Sequence, residues 1–348
     1  MTATGEISLP TVPGLRGARC LLAGGAGFIG SSLTRVLLLS GADVLVYDNL
    51  ATGSPANLEG CAAETGRSPT FQHGDIRDQE RLARVLPGTP FVFNLACLGV
   101  RHSIHSPREN HEVNASGALA LLNQARQAGV LRVVHVSSSE VYGTARSVPM
   151  TEDHPTDPHT VYGASKLAGE CYARAFHRCY GLEVVVLRPF NAYGPRSHHE
   201  GDSGEVVPRF IVRALAAQPL IVFGDGHQTR DLTHVYDTAA AIARAAVTPG
   251  VAGQTFNVGS GAEVSINELA ALVRRVAGCE GLPVEHIDPR PGDVRRLVAD
   301  SSRAKAALGH RITVAREQGI RDLVARTKSL GRERVAELAA AVAARNWE

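Results

Sequence analysis

The sequence is poor in the features that mark several protein classes. Six cysteines, Cys20, Cys61, Cys97, Cys171, Cys179 and Cys279, include no Cys-x-x-Cys pair and no Cys/His cluster at zinc spacing, which argues against a disulfide scaffold or zinc module and fits buried thiols in a reducing compartment. No apolar stretch reaches the roughly 20 residues a membrane helix needs. The opening segment, Met1 to Pro10, lacks a basic region followed by an apolar one, so the expected location is the cytoplasm, with no membrane partner. Excess charge is missing too: Lys plus Arg is 36 and Asp plus Glu is 34, with no long run of either sign, so nothing favours nucleic acid as a partner. Repeats and low-complexity tracts are absent, which excludes a solenoid. His102, His105 and His111, and the pair His198 and His199, have no Asp or Cys to complete a ligand set, so they read as loop or core histidines and no metal is expected.

What is present is a chain of 348 residues, 44% hydrophobic and 20% charged, able to bury a large core in one elaborated domain or two intimate ones. After a Pro/Gly-rich leader at 1–17, the apolar run Ala18 to Ala23 stops at Gly24-Gly-Ala-Gly-Phe-Ile-Gly30, and helical spacing follows from Ser31 to Ser40. Strand-like runs at Asp43 to Asp48, Thr70 to His73, Phe91 to Ala96, Arg132 to Val136 and Leu182 to Leu187 alternate with helix-length segments. Two of those segments are Gly117 to Ala128 and Tyr162 to Tyr180. The pattern predicts an α/β fold with a Rossmann-type, doubly wound parallel sheet over 18–190. Beyond Phe190 the alternation loosens, and 191–330 reads mainly as a smaller C-terminal α/β substrate-binding domain covering the carboxyl ends of the sheet, with some segments returning to the first domain. Val235 to Ala246, Gln254 to Val258 and a capping box at Ser265 and Glu268 fall in this part. The tail, 331–348, reads as a surface helix.

The glycine triplet follows a strand, opens a helix and heads a βαβ unit. In that context Gly24 permits a tight turn, Gly27 lets the backbone approach a pyrophosphate, and Gly30 lets the helix pack on the strand. Asp48 ends the second strand, where a carboxylate accepts hydrogen bonds from an adenosine ribose and repels a 2′-phosphate, so NAD is expected over NADP. Asp75 either contacts the adenine or caps a helix.

Tyr162 and Lys166 stand one turn apart on the same helix face. A free phenol is a poor base at neutral pH, but a nearby ammonium lowers its pKa and can also fix a nicotinamide ribose. Tyr162 can then take a proton from a sugar hydroxyl while hydride leaves the carbon, with Ser138 as a second partner for that oxygen.

The sequence resembles the extended short-chain dehydrogenase/reductases that act on nucleotide-sugars, the group of UDP-glucose 4-epimerase and UDP-glucuronate decarboxylase. The resemblance runs from about Ala18 to Gly309. It rests on the glycine loop, Asp48-Asn49, Gly74-Asp75, Ser137-Ser-Ser-Glu-Val-Tyr-Gly143, Tyr162-Gly-Ala-Ser-Lys166, Arg188-Pro-Phe-Asn-Ala-Tyr-Gly-Pro195, Gly224-Asp-Gly-His-Gln-Thr-Arg-Asp231 and Arg290-Pro-Gly-Asp293. It implies catalytic Ser138, Tyr162 and Lys166, and a retained NAD contacted also by Phe28, Ile29, Asn49, Ile76, Leu95 and Ala96. It further implies a nucleotide-sugar, a UDP-sugar by preference, near Arg101, Asn191, Val207, Arg230 and Arg290. A guanidinium suits a diphosphate because it is a planar, permanently charged fork. Members often pair as homodimers through helices, and Leu167, Cys171 and Phe176 either serve that pairing or are ordinary core.

Members of this group begin by making a keto-sugar, usually at C4, and diverge afterwards. Gly99 to Pro107 and Arg290 to Arg296 look like 4-epimerase segments, which makes transient C4 oxidation followed by 4-epimerisation the favoured expectation. Glu140 conflicts with it: 4,6-dehydratases and UDP-glucuronate decarboxylases carry Glu there, and a carboxylate can abstract the C5 proton beside a C4 ketone. Ser139 stands where dTDP-glucose dehydratases have an aspartate that protonates the departing hydroxyl. A noncatalytic sensor of NAD or nucleotide-sugar would need only the phosphate loop and the arginines, not the set Ser138, Tyr162 and Lys166.

Overall fold

Successive side chains of a strand point to opposite faces of the sheet, and the first strand of the computed structural model, Arg19–Ala23, divides its apolar residues this way. Cys20 and Leu22 enter one core cluster, and Leu21 and Ala23 enter another. The structure describes residues 7–342. Seven parallel strands form the main sheet, in the order Thr255–Val258, Glu183–Pro189, Arg132–Val136, Phe91–Asn94, Arg19–Ala23, Asp43–Asp48, Thr70–His73. Helices Phe28–Leu39 and Val235–Val247 pack together on one face, and Gly117–Gln127 and Val161–Tyr180 on the other, so the central strands are buried on both sides. This is the doubly wound sheet the alternation predicts.

From Arg19–Ala23 the chain winds outward to Thr70–His73 and then crosses back to Phe91–Asn94. The order reverses between the first and fourth strands, and a crevice opens there at their carboxyl ends, where open α/β sheets bind ligands. The smaller unit lies over that end. It contains the helices Val206–Leu215, Ile266–Ala277 and Arg316–Ser329, with two-stranded pieces at Leu220–Phe223 with Val284–Ile287 and at Thr229–Asp231 with Glu263–Ser265. Their shared core includes Phe210, Leu220, Leu269 and Ile320. Ser265 and Glu268 form the expected capping box: the Ser265 hydroxyl accepts from the Glu268 N–H (3.1 Å) and the Glu268 carboxylate accepts from the Ser265 N–H (2.8 Å).

Two elements read from sequence as part of the smaller unit belong to the sheet layer instead. Thr255–Val258 is the seventh strand, paired with Glu183–Pro189, and Val235–Val247 lies against the first helix. A buried parallel strand and a buried helix look alike on their own, and only the partner each meets decides its layer. Within the leader, Val12 and Leu15 are buried in the main core, and the Val12 N–H donates to Ser40 Oγ (2.9 Å). The tail helix, Arg332–Ala340, buries Val335 and Ala339 and packs on Val206–Leu215, so one of its faces is not surface; 343–348 lie outside the described residues. Of the residues considered for helix pairing, Phe176 is core, Leu167 is half-buried and Cys171 is exposed. No helix of the described residues is long and apolar enough to cross a membrane.

Candidate active site

The phosphate loop is shaped by what its glycines lack. Gly24 has φ +82°, and a Cβ there would lie 2.6 Å from the Ala96 nitrogen, too close for any other residue. At Gly30 a Cβ would stand 2.0 Å from the Gly24 carbonyl oxygen, so this glycine lets the helix seat on the turn. Gly27 differs: a Cβ there would meet only the Gly24 carbonyl oxygen, at 3.4 Å, leaving open space before the N-terminus of helix Phe28–Leu39, where Gly27 is the N-cap and no side chain caps it. Uncapped N–H groups facing an open concavity suit a phosphate, and the cradle therefore fits the pyrophosphate of a dinucleotide.

Asp48 braces this loop: Oδ2 accepts from the Ala26 N–H (2.9 Å) and Oδ1 from the Leu50 N–H (2.8 Å). Burial raises its pKa, and these two bonds pull it back. Each oxygen keeps a lone pair, so the carboxylate can brace the loop and still accept from a ribose hydroxyl. Gly24, Gly27, Phe28, Ile29, Gly30, Asp48, Asn49, Ile76, Leu95 and Ala96 all line one cavity of ≈ 420 Å³, within the usual range for small-molecule sites. Asp75 does not line it. Its carboxylate is held by the Arg77 fork (2.9 and 2.7 Å) and the Asn49 amide (2.8 Å), and Arg77 first among them keeps it at about 2.

The same cavity continues past the end of strand Arg132–Val136 to Ser138, Ser139, Glu140, Tyr162 and Lys166. Thr160 caps the helix carrying the last two, accepting from the Gly163 N–H (3.2 Å). Ser138 shares a hydrogen bond with the Tyr162 phenol, and its Oγ accepts from the Glu140 N–H (3.2 Å). Beneath them, fully buried Glu170 accepts from Ser137 Oγ (2.5 Å) and from Arg188 Nε (2.9 Å) and Nη2 (2.6 Å), locking the strand end that presents Ser138.

The expected effect of Lys166 on Tyr162 is not the dominant one. Burial, and after it the Cys97 sulfur and the Glu140 and Glu205 carboxylates, push the phenol up, opposed by the Ser138 hydrogen bond. Lys166 donates to the Val136 carbonyl (2.6 Å), and burial pushes its own pKa down. Glu140 is 8% exposed, and its Oε2 is buried without a hydrogen-bond partner.

At the far end lie Arg101, Asn191, Val207, Arg230 and Arg290, so every substrate-side residue expected from the sequence meets in this one space. Asp293 Oδ1 accepts from both Arg230 Nη2 (2.6 Å) and Arg290 Nη2 (2.5 Å), which binds the two guanidinium groups into one cationic plate. Arg101 is pushed down to about 9 by burial, then by Arg290 and Arg209, and its Nε is buried without a partner, as is Asn191 Oδ1. Sequence reasoning did not single out Cys97, Arg77, Glu205, Arg209 or Asp293 as site residues, and all five line the cavity. One signal was available for Glu205, since Glu is not among the favoured residues at a helix N-cap.

Residues 21–323 match the family described as GDP-mannose 4,6 dehydratase. The chain is 39% identical over 305 residues to a UDP-glucose 4-epimerase of Mycolicibacterium smegmatis, covering 87% of this chain and 96% of that one. It superposes on a UDP-glucose 4-epimerase from Thermotoga maritima, solved with UDP-glucose, with a TM-score of 0.84 and 34% identity over 90% of this chain and 100% of that one. A dTDP-glucose 4,6-dehydratase from Streptomyces venezuelae, solved with NAD bound, gives a TM-score of 0.85 and 36% identity over 92% and 99%. Both reactions are thus represented at similar distance.

Proposed function

Because the chain belongs to the NAD-dependent nucleotide-sugar epimerase and dehydratase family, we propose that it binds NAD, oxidises a nucleotide-linked hexose at C4 and then eliminates water across C5 and C6. The observation that carries the second step is Glu140, a carboxylate shielded from water, beside Tyr162, with an oxygen that has no partner. A carboxylate buried and unsatisfied is costly unless it serves a ligand, and simple inversion at C4 has no use for one.

Bound NAD supplies the hydride acceptor. The chain's own groups do the rest. The Arg230–Asp293–Arg290 plate holds the diphosphate, in keeping with the UDP- and dTDP-sugars named for the relatives. The Ser138–Tyr162 pair removes the C4 hydroxyl proton: Tyr162 Oη, having first released its own proton to solvent, takes it as the phenolate, and Ser138 Oγ holds the oxygen that becomes a carbonyl. That carbonyl acidifies C5–H, and Glu140 takes the C5 proton.

A second reading, 4-epimerisation, is favoured by the Mycolicibacterium relative and by the segments Gly99 to Pro107 and Arg290 to Arg296. Turnover of UDP- and dTDP-glucose and UDP-glucuronate in heavy water separates the outcomes. Elimination is expected to give a product lighter by one water and deuterated at C5. A product of unchanged mass without deuterium establishes epimerisation instead, and loss of carbon dioxide from the uronate establishes decarboxylation.

Asp48 carries a further prediction. Its carboxylate repels a 2′-phosphate, so calorimetry is expected to show NAD bound more tightly than NADP, with the gap narrowed in Asp48→Ala. Because the carboxylate also braces Ala26 and Leu50, the variant is expected to lose some NAD affinity as well. Equal wild-type affinities for the two cofactors contradict the assignment.

A further inference from the structure

Elimination of water needs an acid as well as a base, because hydroxide leaves carbon poorly unless it is protonated as it goes. The residue next to Glu140, Ser139, has no acidic proton to give. Of the other carboxyls that line the cavity, Asp48 accepts from a backbone N–H and Glu109, Asp202 and Asp293 each meet a basic side chain, whereas Glu205, with Glu140, acts on Tyr162. Glu205 is the N-cap of helix Val206–Leu215, with extended backbone (φ −99°, ψ 156°), yet its side chain makes no capping hydrogen bond to that helix. The carboxyl instead lines the cavity, close enough to Tyr162 to push the phenol up, with Oε2 buried and without a hydrogen-bond partner.

Arg101 faces it. The two side chains feel each other's charge, since Arg101 draws the Glu205 carboxyl down and Glu205 draws Arg101 up. Among the described residues they nevertheless form no ion pair, and Arg101 Nε and Glu205 Oε2 are both left unsatisfied. A carboxyl and a guanidinium that do not meet in a shielded cavity leave room between them for a group that both accepts and donates hydrogen bonds, and a sugar hydroxyl is such a group.

We propose that Glu205 is the general acid of the elimination, giving its proton to the C6 hydroxyl as it departs while Arg101 binds the same oxygen from the other side. The assignment rests on the C5–C6 elimination reading. In the step, Glu140 takes the C5 proton and the C5–H electron pair becomes the second bond between C5 and C6. The C6–O bond then breaks toward oxygen, which takes the Glu205 proton and leaves as water. Glu205 regains its proton from solvent, and no oxidant or reductant is consumed in this step. Burial pushes the Glu205 carboxyl up to about 8 against the pull of Arg101, so the acid is present at neutral pH. The charged and titratable groups facing it are Arg101 and Tyr162, with Arg209 one turn along its own helix. Since the protonated form is the active one, water loss is expected to fall as pH rises through about 8.

The test compares the wild type, Glu205→Gln and Glu205→Ala on UDP- and dTDP-glucose and on the 6-deoxy-6-fluoro analogues, whose fluoride leaves without a proton. Both variants are expected to form NADH and to wash solvent deuterium into C5, but to lose water about 10²- to 10⁴-fold more slowly than wild type. Fluoride release is expected to stay within about tenfold of wild type and to show no fall above neutral pH, because no acid is needed. Water loss at the wild-type rate in Glu205→Gln overturns the proposal. An equal drop for water and fluoride also overturns it, since that marks a structural role. A wild type that neither loses water nor exchanges C5 removes the elimination reading itself, and this proposal with it; a wild type that does both while the variants are unaffected removes only the role of Glu205.

Discussion

Tyr162→Phe is expected to lower turnover by about 10²- to 10⁴-fold while leaving the fold and NAD affinity nearly unchanged. The substitution deletes one hydroxyl and keeps the ring that fills the chamber between Ser138 and Lys166. It also removes the hydrogen bond with Ser138, which pulls the phenol down against burial. The block falls on the first chemical step, so rapid mixing with substrate should show little NADH absorbance, whereas calorimetry with NAD and a thermal melt should match wild type. A variant with wild-type turnover takes Tyr162 out of the mechanism.

Glu140→Gln is expected to have an effect of similar size at a different step. The amide keeps the shape of the side chain but cannot accept the C5 proton, so elimination should fall by about 10²- to 10⁴-fold. NADH should still form, because the Ser138–Tyr162 pair that removes the C4 hydroxyl proton is intact. In heavy water the variant should leave C5 free of deuterium, which separates it from Glu205 variants, where exchange continues. Normal water loss from Glu140→Gln overturns the role given to Glu140. If the variant instead inverts C4 as fast as wild type, the enzyme is a 4-epimerase and Glu140 is a bystander.

These two experiments divide along a line already visible in how the site is built. Gly24, Gly27, Gly30 and Asp48 could be read from the chain because each answers to local geometry. A strand, a tight turn and a helix N-terminus follow one another within a few residues, and only glycine fits positions where a Cβ would collide with backbone at 2.0 or 2.6 Å. Tyr162 and Lys166 were legible for a similar reason, since a spacing of four residues fixes a shared helix face whatever surrounds it. The succession of strands and helices up to Glu183–Pro189 was also legible from alternation along the chain.

Other features have no local signature. Thr255–Val258 is apolar enough for either layer, and its parallel pairing with Glu183–Pro189, distant in sequence, puts it in the sheet. Asp75 sits in a motif that suggests a ligand contact, but Arg77, two residues on, captures its carboxylate.

The sequence by itself therefore determined the dinucleotide cradle, the doubly wound sheet and the Tyr162–Lys166 pair, because short-range backbone geometry and helix periodicity dictate them. Only the tertiary structure decided that Asp293 joins Arg230 and Arg290, which the family resemblance had already placed with Arg101 at the substrate. It alone also turned Glu205 from its own helix end toward Tyr162 and left Glu140 buried with a free oxygen. The direction of a side chain leaving an irregular loop, and the proton it keeps, depend on which distant elements shut out water around it. Burial of that kind is a property of the packed molecule and is not written in any run of neighbouring residues.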